Sequence, residues 1–294
     1  MTPSGKGAGD FHNPTEISQL LDRGWECGGF HFQFETFDDV LTNQKSNDIA
    51  SEYLRQKIRA VVQDPETAEL LCPKYPFITK RPFFGHFYYE TFNRPNVQLV
   101  DISSDKIDLY ENGVINGSGE YEVDMVIFAL GFDAGTGALS EIDATKVDTF
   151  AGTLIPGFPN MFSVCGPHVP FGNMPVVVEI QLRWIGETIR YMRQNGFSKI
   201  DVRKEAAVMW YAHLREVFAG LLTSKDSETH GAWFVGANMP GKPADILFYF
   251  GGVPAWSSWL QREVKSSWVN MQFSPRRVSG RGSQSENSKL VPSL

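Results

Sequence analysis

No stretch of these 294 residues approaches eighteen consecutive apolar side chains, the length a membrane-crossing helix needs. The first ten residues are polar and glycine-rich with no apolar core, so a secretory signal is not expected there. Cysteine is scarce: Cys27, Cys72 and Cys165 are odd in number and far apart. That arithmetic excludes a disulfide framework and a zinc finger, and makes the reducing cytoplasm the expected location. The six histidines show no metal-ligand spacing. Positive charge is also short, with 27 Lys and Arg against 34 Asp and Glu for a net charge of −7. With no basic cluster, neither nucleic acid nor a membrane surface is an expected partner. A final absence concerns glycine in context. Gly5, Gly7 and Gly9 have no strand before them, and Gly135-Thr136-Gly137-Ala138-Leu139-Ser140 has no helical pattern after it, so neither run has the setting of a phosphate loop.

What is present is the composition of a folded protein: 42% hydrophobic and 13% aromatic residues, enough for one large domain or two modest ones. Residues 1–13 read as a disordered leader. Over 14–76 the patterning is helical, from Asn13-Pro14-Thr15 to a Cys27-Gly28-Gly29 break, then a short helix around Phe37, Val40 and Leu41. A longer helix opens at Asp48 and stops at Asp64-Pro65, with one more turn beyond. After Tyr75-Pro76 the period changes. Val97–Ile102 and Ile107–Tyr110 alternate like strands, Asn112-Gly113 and Gly117-Ser118-Gly119 signal turns, and Glu122–Ala129 reads as a strand buried on both faces. This is a β-meander feeding a buried strand. Residues 141–156 are weakly patterned loop, and Met161–Cys165 is another short strand candidate. Two helices follow, from Pro175 to about Arg193 with Leu182, Ile185, Ile189 and Met192 on one face, and from about Val202 to Leu222. Trp233–Gly252 is a Gly/Pro-rich loop ending in an aromatic strand, Ile246–Phe250, and residues 273–294 read as a disordered tail.

Lys80-Arg81-Pro82 carries the clearest chemical signal. Lys offers a compact charge for a phosphate, and Arg a rigid planar fork for an anionic centre. Alone, such a dipeptide reads first as a solvated charge pair at a strand entry. Here Pro82 fixes the backbone, and the aromatic run Tyr88-Tyr89-Glu90-Thr91-Phe92-Asn93 must pack nearby. His168 follows Gly166-Pro167 with no carboxylate in view and reads as a loop residue.

The order of several motifs is similar to the C-terminal half of the Baeyer–Villiger monooxygenases: KRP, YYETFNRPNV, GFDAGTGAL, GFPN, NMPV and WFVGAN, with RGWECGGF, FDDVLT and VQDPETAELLCPK resembling that family's helical insert. The resemblance implies an α/β architecture, part of a two-dinucleotide-binding-domain flavoprotein fold with a helical insert (14–76), a β-meander and C-terminal helices. Residues 77–130 would belong to the NADPH-binding domain and 131–272 to the FAD-binding domain. It also implies FAD and NADPH as cofactors, and a ketone and O2 as substrates, with one oxygen atom inserted beside the carbonyl as an ester or lactone. Carried residue by residue, Arg81 is the guanidinium that stabilises negative charge in oxygen transfer, and Lys80 the contact to the NADPH 2′-phosphate. Asn173 and Met174 match the segment that opens a helix toward the flavin, with Phe171 and Met174 lining the substrate pocket. Trp233 matches a tryptophan on a mobile loop that closes over the nicotinamide.

The departures are as specific. The family's two glycine-rich nucleotide loops and its FxGxxxHxxxWP fingerprint do not occur. Leu130 stands where a small hydroxyl residue is usual, Gly85 where an acidic one is common, and the stretch from Asp143 to Gly157 is shorter. Cofactor binding by this chain alone is therefore expected to be weak. Two other readings stand beside a truncated monooxygenase: an inactive remnant serving as an interaction module, and one half of a split enzyme whose N-terminal half is a separate chain.

Overall fold

The computed structural model describes residues 4–82, 84–103, 106–129, 131 and 148–275. The Gly135–Ser140 run lies outside them.

Asn13 starts the first helix: its side chain accepts the Thr15 N–H, and Pro14 needs no donor at the first helical position, which gives α1 (Pro14–Cys27). Gly28, at φ 69°, closes it. The short helix expected around Phe37 forms earlier, as α2 (His31–Phe34), while 35–43 is turn. Phe37 and Val40 are buried all the same, their placement being decided by packing rather than period. Asn43 caps α3 (Gln44–Val61), four residues before the expected start, and Asp64 caps α4 (Pro65–Leu71). Leu21, Phe32, Phe37, Val40 and Ala50 form the core of this helical layer.

The leader is not loose from residue 4 on. A 3-10 turn, Ala8–Asp10, carries Ala8 into that core, its N–H donating to Ser46 Oγ at 3.0 Å, and Asp38 N–H donates to Lys6 O. A small side chain flanked by glycines fits where composition alone suggested disorder.

The meander is β1 (Asp108–Tyr110), β2 (Gly113–Asn116) and β3 (Gly119–Glu122), antiparallel throughout, with Tyr110 opposite Gly113 and Asn116 opposite Gly119. Four other expected strands do not form as strands, among them Ile246–Phe250, which contributes only a bridge from Tyr249 to Pro170. Val97–Ile102 and the run after Glu122 lie in neither sheet, and Met161–Cys165 contributes one bridge, Leu154 to Phe162.

The largest core lies within residues 150–271. Here α5 (Met174–Gln194), α6 (Lys204–Ala219) and α7 (Val253–Lys265) enclose Trp184, Trp210, Trp256 and Leu260, with a ribbon of β4 (Phe197–Val202) and β5 (Met271–Pro275) beside them. β4 ends at Val202, where a helix was expected to begin. β5 takes in residues 273–275 of the expected tail, with Phe273 opposite Ile200. The buried face of α5 is Val177, Gln181, Trp184, Thr188 and Met192; Leu182 is exposed instead. Gln181 tolerates burial because every polar atom is satisfied: Nε2 donates to Gly152 O, Thr153 Oγ1 and Ser163 O, and Oε1 accepts the Cys165 N–H. These bonds hold the 149–155 loop, which is core rather than surface. Gly152 is required there, since at φ 68° a Cβ would meet Val169 Cγ1 at 2.6 Å.

Candidate functional site

Lys80 and Arg81 are positioned by a buried polar clamp on α3. Asn47 Nδ2 donates to Val40 O at 2.8 Å and to Phe77 O at 3.1 Å, and its Oδ1 accepts the Phe77 N–H at 2.9 Å. Ser51, one turn on, accepts from Phe77 N–H at 3.2 Å and donates to Asn47 Oδ1 at 3.1 Å. The chain leaves this anchor through Ile78, a β-branched residue held at φ 74°, and the Thr79 N–H closes a turn on Pro76 O. Lys80 and Arg81 therefore emerge exposed. Lys80 Nζ lies 5.5 Å from the Tyr75 ring centroid, and Arg81 Cζ lies 6.0 Å from that of Phe30. Among the described residues neither makes an ion pair. Beside them, Gln44, Asp48, Arg55, Lys74 and Tyr75 line a cleft of about 260 Å³, and burial pushes the Tyr75 phenol above its ordinary pKa.

The aromatic run after Pro82 also packs. Tyr88 meets Tyr89 and Phe92 edge-on at 5.3 and 5.4 Å. Asn93 fastens the 3-10 turn Tyr89–Asn93 to the end of α3, donating to Val61 O and accepting from Gln63 N–H, both at 2.8 Å.

The second group of expected site residues assembles around Phe171. Its ring stacks on Phe250 at 5.1 Å and meets Trp233 at 5.8 Å and Phe248 at 5.8 Å. Phe171 N–H donates to Tyr249 O and Tyr249 N–H to Val169 O, which fixes the ring's height. Trp233 begins a 3-10 turn ended by Gly236 at φ 71°, and the same loop is tied down by Leu247 N–H to Phe234 O and Asp245 N–H to Val235 O. The loop expected to be a mobile lid is thus hydrogen-bonded here, with Trp233 half-buried against Phe248. Asn173 precedes α5 as its cap residue; its carbonyl accepts from Val176 and Val177 N–H, while its side chain makes no capping bond and is exposed. Met174 is half-buried against the same core as Phe171 and Trp233.

The structure therefore brings Phe171, Met174 and Trp233 onto one core and sets Lys80 and Arg81 on the helical layer. A contact leads from one toward the other: Tyr75, under Lys80, lies 5.3 Å from the His230 ring, three residues before Trp233. Leu222 N–H donates to Leu41 O, a further tie between the helical layer and the segment after α6.

His168 is indeed in a loop, but a buried one at φ 72°. Its Nδ1 lies 3.0 Å from Thr149 Oγ1, its N–H donates to Leu247 O, and its ring is 5.8 Å from Tyr211. Burial pushes the Tyr211 phenol well above its ordinary value, reinforced by the hydrogen bond it donates to Asp245. Among the described residues no group of three or more His, Cys, Asp or Glu could hold a metal. Sequence reasoning missed the Asn47–Ser51 clamp and buried Gln181. Asn47 and Ser51 stand at i, i+4 spacing on one helix face, a signal available in principle, whereas the partners of Gln181 lie sixteen or more residues away.

Removing the clamp has a measurable consequence. Asn47→Ala leaves the Val40 and Phe77 carbonyls unpaired in a buried position, so a loss of roughly 2–3 kcal/mol is expected. Urea denaturation should show it, and hydrogen exchange should show residues 77–81 losing protection first.

The residues present meet the charged and ring-facing demands of FAD and NADPH but not those of their pyrophosphates. Exposed cations, an aromatic shelf and the start of a 21-residue helix are at hand; among the described residues no glycine loop links a strand to a helix.

No protein-family model matches the chain. Among curated proteins it is 38% identical over 257 residues to a Baeyer-Villiger monooxygenase of Pseudooceanicola batsensis, a match covering 82% of this chain and 46% of the relative. The solved cyclohexanone monooxygenase of Rhodococcus sp. Phi1 bound to NADP+ superposes with a TM-score of 0.87 at 31% identity, over 94% of this chain and 54% of that one. The OTEMO complex with FAD and NADP gives a TM-score of 0.84 at 28% identity, over 93% and 52%. The chain spans about half the length of the relatives it matches.

Proposed function

The chain belongs to the Baeyer–Villiger-type flavin monooxygenase family, and from that premise we propose that it carries the oxygen-transfer side of an FAD- and NADPH-dependent monooxygenase acting on a ketone with O2 in the cytoplasm. The observation behind this reading is the Lys80–Arg81 pair, exposed, without a carboxylate partner among the described residues, and held in place by Asn47. Cations left unneutralised at fixed positions suit anionic ligands. FAD supplies the oxygen activation when bound. Lys80 contacts the NADPH 2′-phosphate, and Arg81 presents its guanidinium to negative charge developing on the oxygen at the reacting carbonyl. The positive end of the α5 dipole, beside Asn173 and Met174, favours negative charge on the flavin ring. Phe171 and Met174 wall the substrate and keep water from it, and Trp233 covers the nicotinamide.

On this reading the isolated chain lacks the pyrophosphate cradles and should purify with less than ~0.1 FAD per chain. Fusing it in frame to the part of the Rhodococcus sp. Phi1 enzyme that it does not match should restore a yellow protein, reduced by NADPH, that converts cyclohexanone to a lactone carrying one atom of labelled O2. A fusion that binds FAD and is reduced yet forms no lactone from cyclohexanone or from a panel of linear and cyclic ketones would overturn the monooxygenase assignment. A split enzyme is the second reading, favoured by the exposed apolar run after β3.

A further inference from the structure

The loop over 231–247 carries Trp233 near its first foot and leads into Phe248 at its second. It holds Gly231, Gly236 and Gly241 in the left-handed region, at φ 63°, 71° and 78°. A segment with that much backbone freedom loses much entropy when it settles into one shape. Its two limbs are bonded to each other, Asp245 N–H to Val235 O at 3.0 Å and Leu247 N–H to Phe234 O at 3.1 Å. Bonds inside a loop fix its shape but not its place against the rest of the molecule.

Asp245 supplies that second constraint. Its Oδ1 accepts the Tyr211 hydroxyl from α6 and, at 2.8 Å, the N–H of Ile246. One residue therefore reaches Val235, two positions after Trp233, through its backbone, and α6 through its carboxylate. Tyr211 follows the core residue Trp210 and is half-buried, its ring 5.8 Å from that of His168. His168 N–H donates to Leu247 O at 2.7 Å and Phe171 N–H to Tyr249 O at 2.9 Å, so the second limb is also tied to the arm that carries Phe171. Burial pushes the Tyr211 phenol up, which keeps its proton in place, and a hydroxyl donating to a carboxylate is among the stronger hydrogen bonds. Neither Tyr211 nor Asp245 lies within the motifs that carry the family resemblance.

We propose that Tyr211 and Asp245 are positioning residues, whose hydrogen bond latches the Trp233 loop to α6 and sets the Trp233 ring against Phe171 and Phe248. The inference rests on the reading of Trp233 as the cover of the nicotinamide, and deepens it by naming what holds the cover in place.

The test begins with the whole chain. Tyr211→Phe keeps the ring and removes only the hydroxyl. Hydrogen exchange at Gly236, Asp245 and Leu247, whose N–H groups are bonded within the loop, should speed up at least ~10-fold, the effect of losing one bond to a charged group. Amides in the middle of α5 and α7 should exchange as in the parent. Asp245→Asn keeps an acceptor without the charge and should fall between the two. Unchanged exchange in the loop overturns the proposal. A uniform rise over the loop, α5 and α7 also overturns it, since Tyr211 would then be part of the core and not a latch.

The second arm uses the fusion to the unmatched part of the Rhodococcus sp. Phi1 enzyme. Loop openings lie at the low end of local stability, so a tenfold shift leaves a sizeable share of molecules open. The KM for NADPH should then rise at least ~3-fold in Tyr211→Phe, with kcat for flavin reduction changing less than KM. A parent KM beside a loosened loop overturns the positioning role. The two readings fail separately. A fusion that NADPH does not reduce, beside a loosened loop in the whole chain, sinks the monooxygenase function and keeps the latch. A lactone-forming fusion whose loop exchanges alike in parent and Tyr211→Phe keeps the function and sinks the latch.

Discussion

Arg81→Ala, made in the fused and cofactor-loaded protein, is expected to lower lactone formation by roughly 10²–10³-fold, the usual effect of deleting one preorganised stabiliser of developing negative charge. Flavin content and the rate of reduction by NADPH should stay within a few-fold of the parent. The reason lies in what Arg81 touches. It is exposed and makes no ion pair among the described residues, its one ring contact being Phe30 at 6.0 Å. Its removal should therefore change stability by no more than ~0.5 kcal/mol, as is usual for surface positions. A catalytic defect without a folding defect is the signature sought. Arg81→Lys keeps the charge but loses the planar fork, so it should fall between the two. Product analysis beside NADPH consumption makes the measurement: the alanine variant should consume NADPH without forming lactone. Lactone formation at the parent rate in Arg81→Ala would remove this residue from the chemistry.

The second large effect is structural. Trp184→Ala should destabilise the isolated chain by about 3–5 kcal/mol, the cost of emptying a large core position. Trp184 is wholly buried at the centre of α5, and its Nε1–H donates to Leu260 O in α7 at 3.0 Å, so one side chain both fills and ties the largest core. Such a loss is a large share of the 5–15 kcal/mol that holds a domain together. Trp184→Phe keeps most of the volume but loses the bond to the Leu260 carbonyl, which keeps its helical partner, and about 1 kcal/mol is expected. Guanidinium denaturation followed by Trp fluorescence and far-ultraviolet circular dichroism checks both. An alanine variant within 1 kcal/mol of the parent would show that α5 and α7 are not packed as described. The consequence reaches the site, because α5 also carries Asn173 and Met174 at its start.

Much of the local structure was legible in the chain. Asn13-Pro14, Asp64-Pro65 and Met174-Pro175 gave helix starts because a side-chain acceptor or a proline acts within one turn of its own backbone. Asn112-Gly113 and Gly117-Ser118-Gly119 gave the meander's turns for the same reason. The candidate site was legible as a set of residue types, Lys80, Arg81, Phe171, Asn173, Met174 and Trp233, because charge and aromaticity are properties of the residues themselves.

Other features depended on atoms distant in sequence. Gln181 and Thr188 occupy the buried face of α5 while Leu182 faces water, because the 149–155 loop offers Gln181 the Gly152 carbonyl and the Thr153 hydroxyl, and Trp268 Nε1–H donates to Thr188. A period count sees apolarity, not partners. Asn47 and Ser51 are polar residues made structural by Phe77, some thirty positions on. Glu122–Ala129 shows the converse. Its sequence fixes a two-sided apolar strand, yet strand pairing is a contract with a neighbour, and among the described residues no neighbour offers itself. By itself the sequence determined which segments turn, which cap, which carry charge and which must be buried. Only the tertiary structure decided where Lys80 and Arg81 point, which polar groups the core admits, and which apolar strand still lacks its sheet. Local conformation is set within a few residues, whereas burial and pairing are set by whatever arrives from elsewhere.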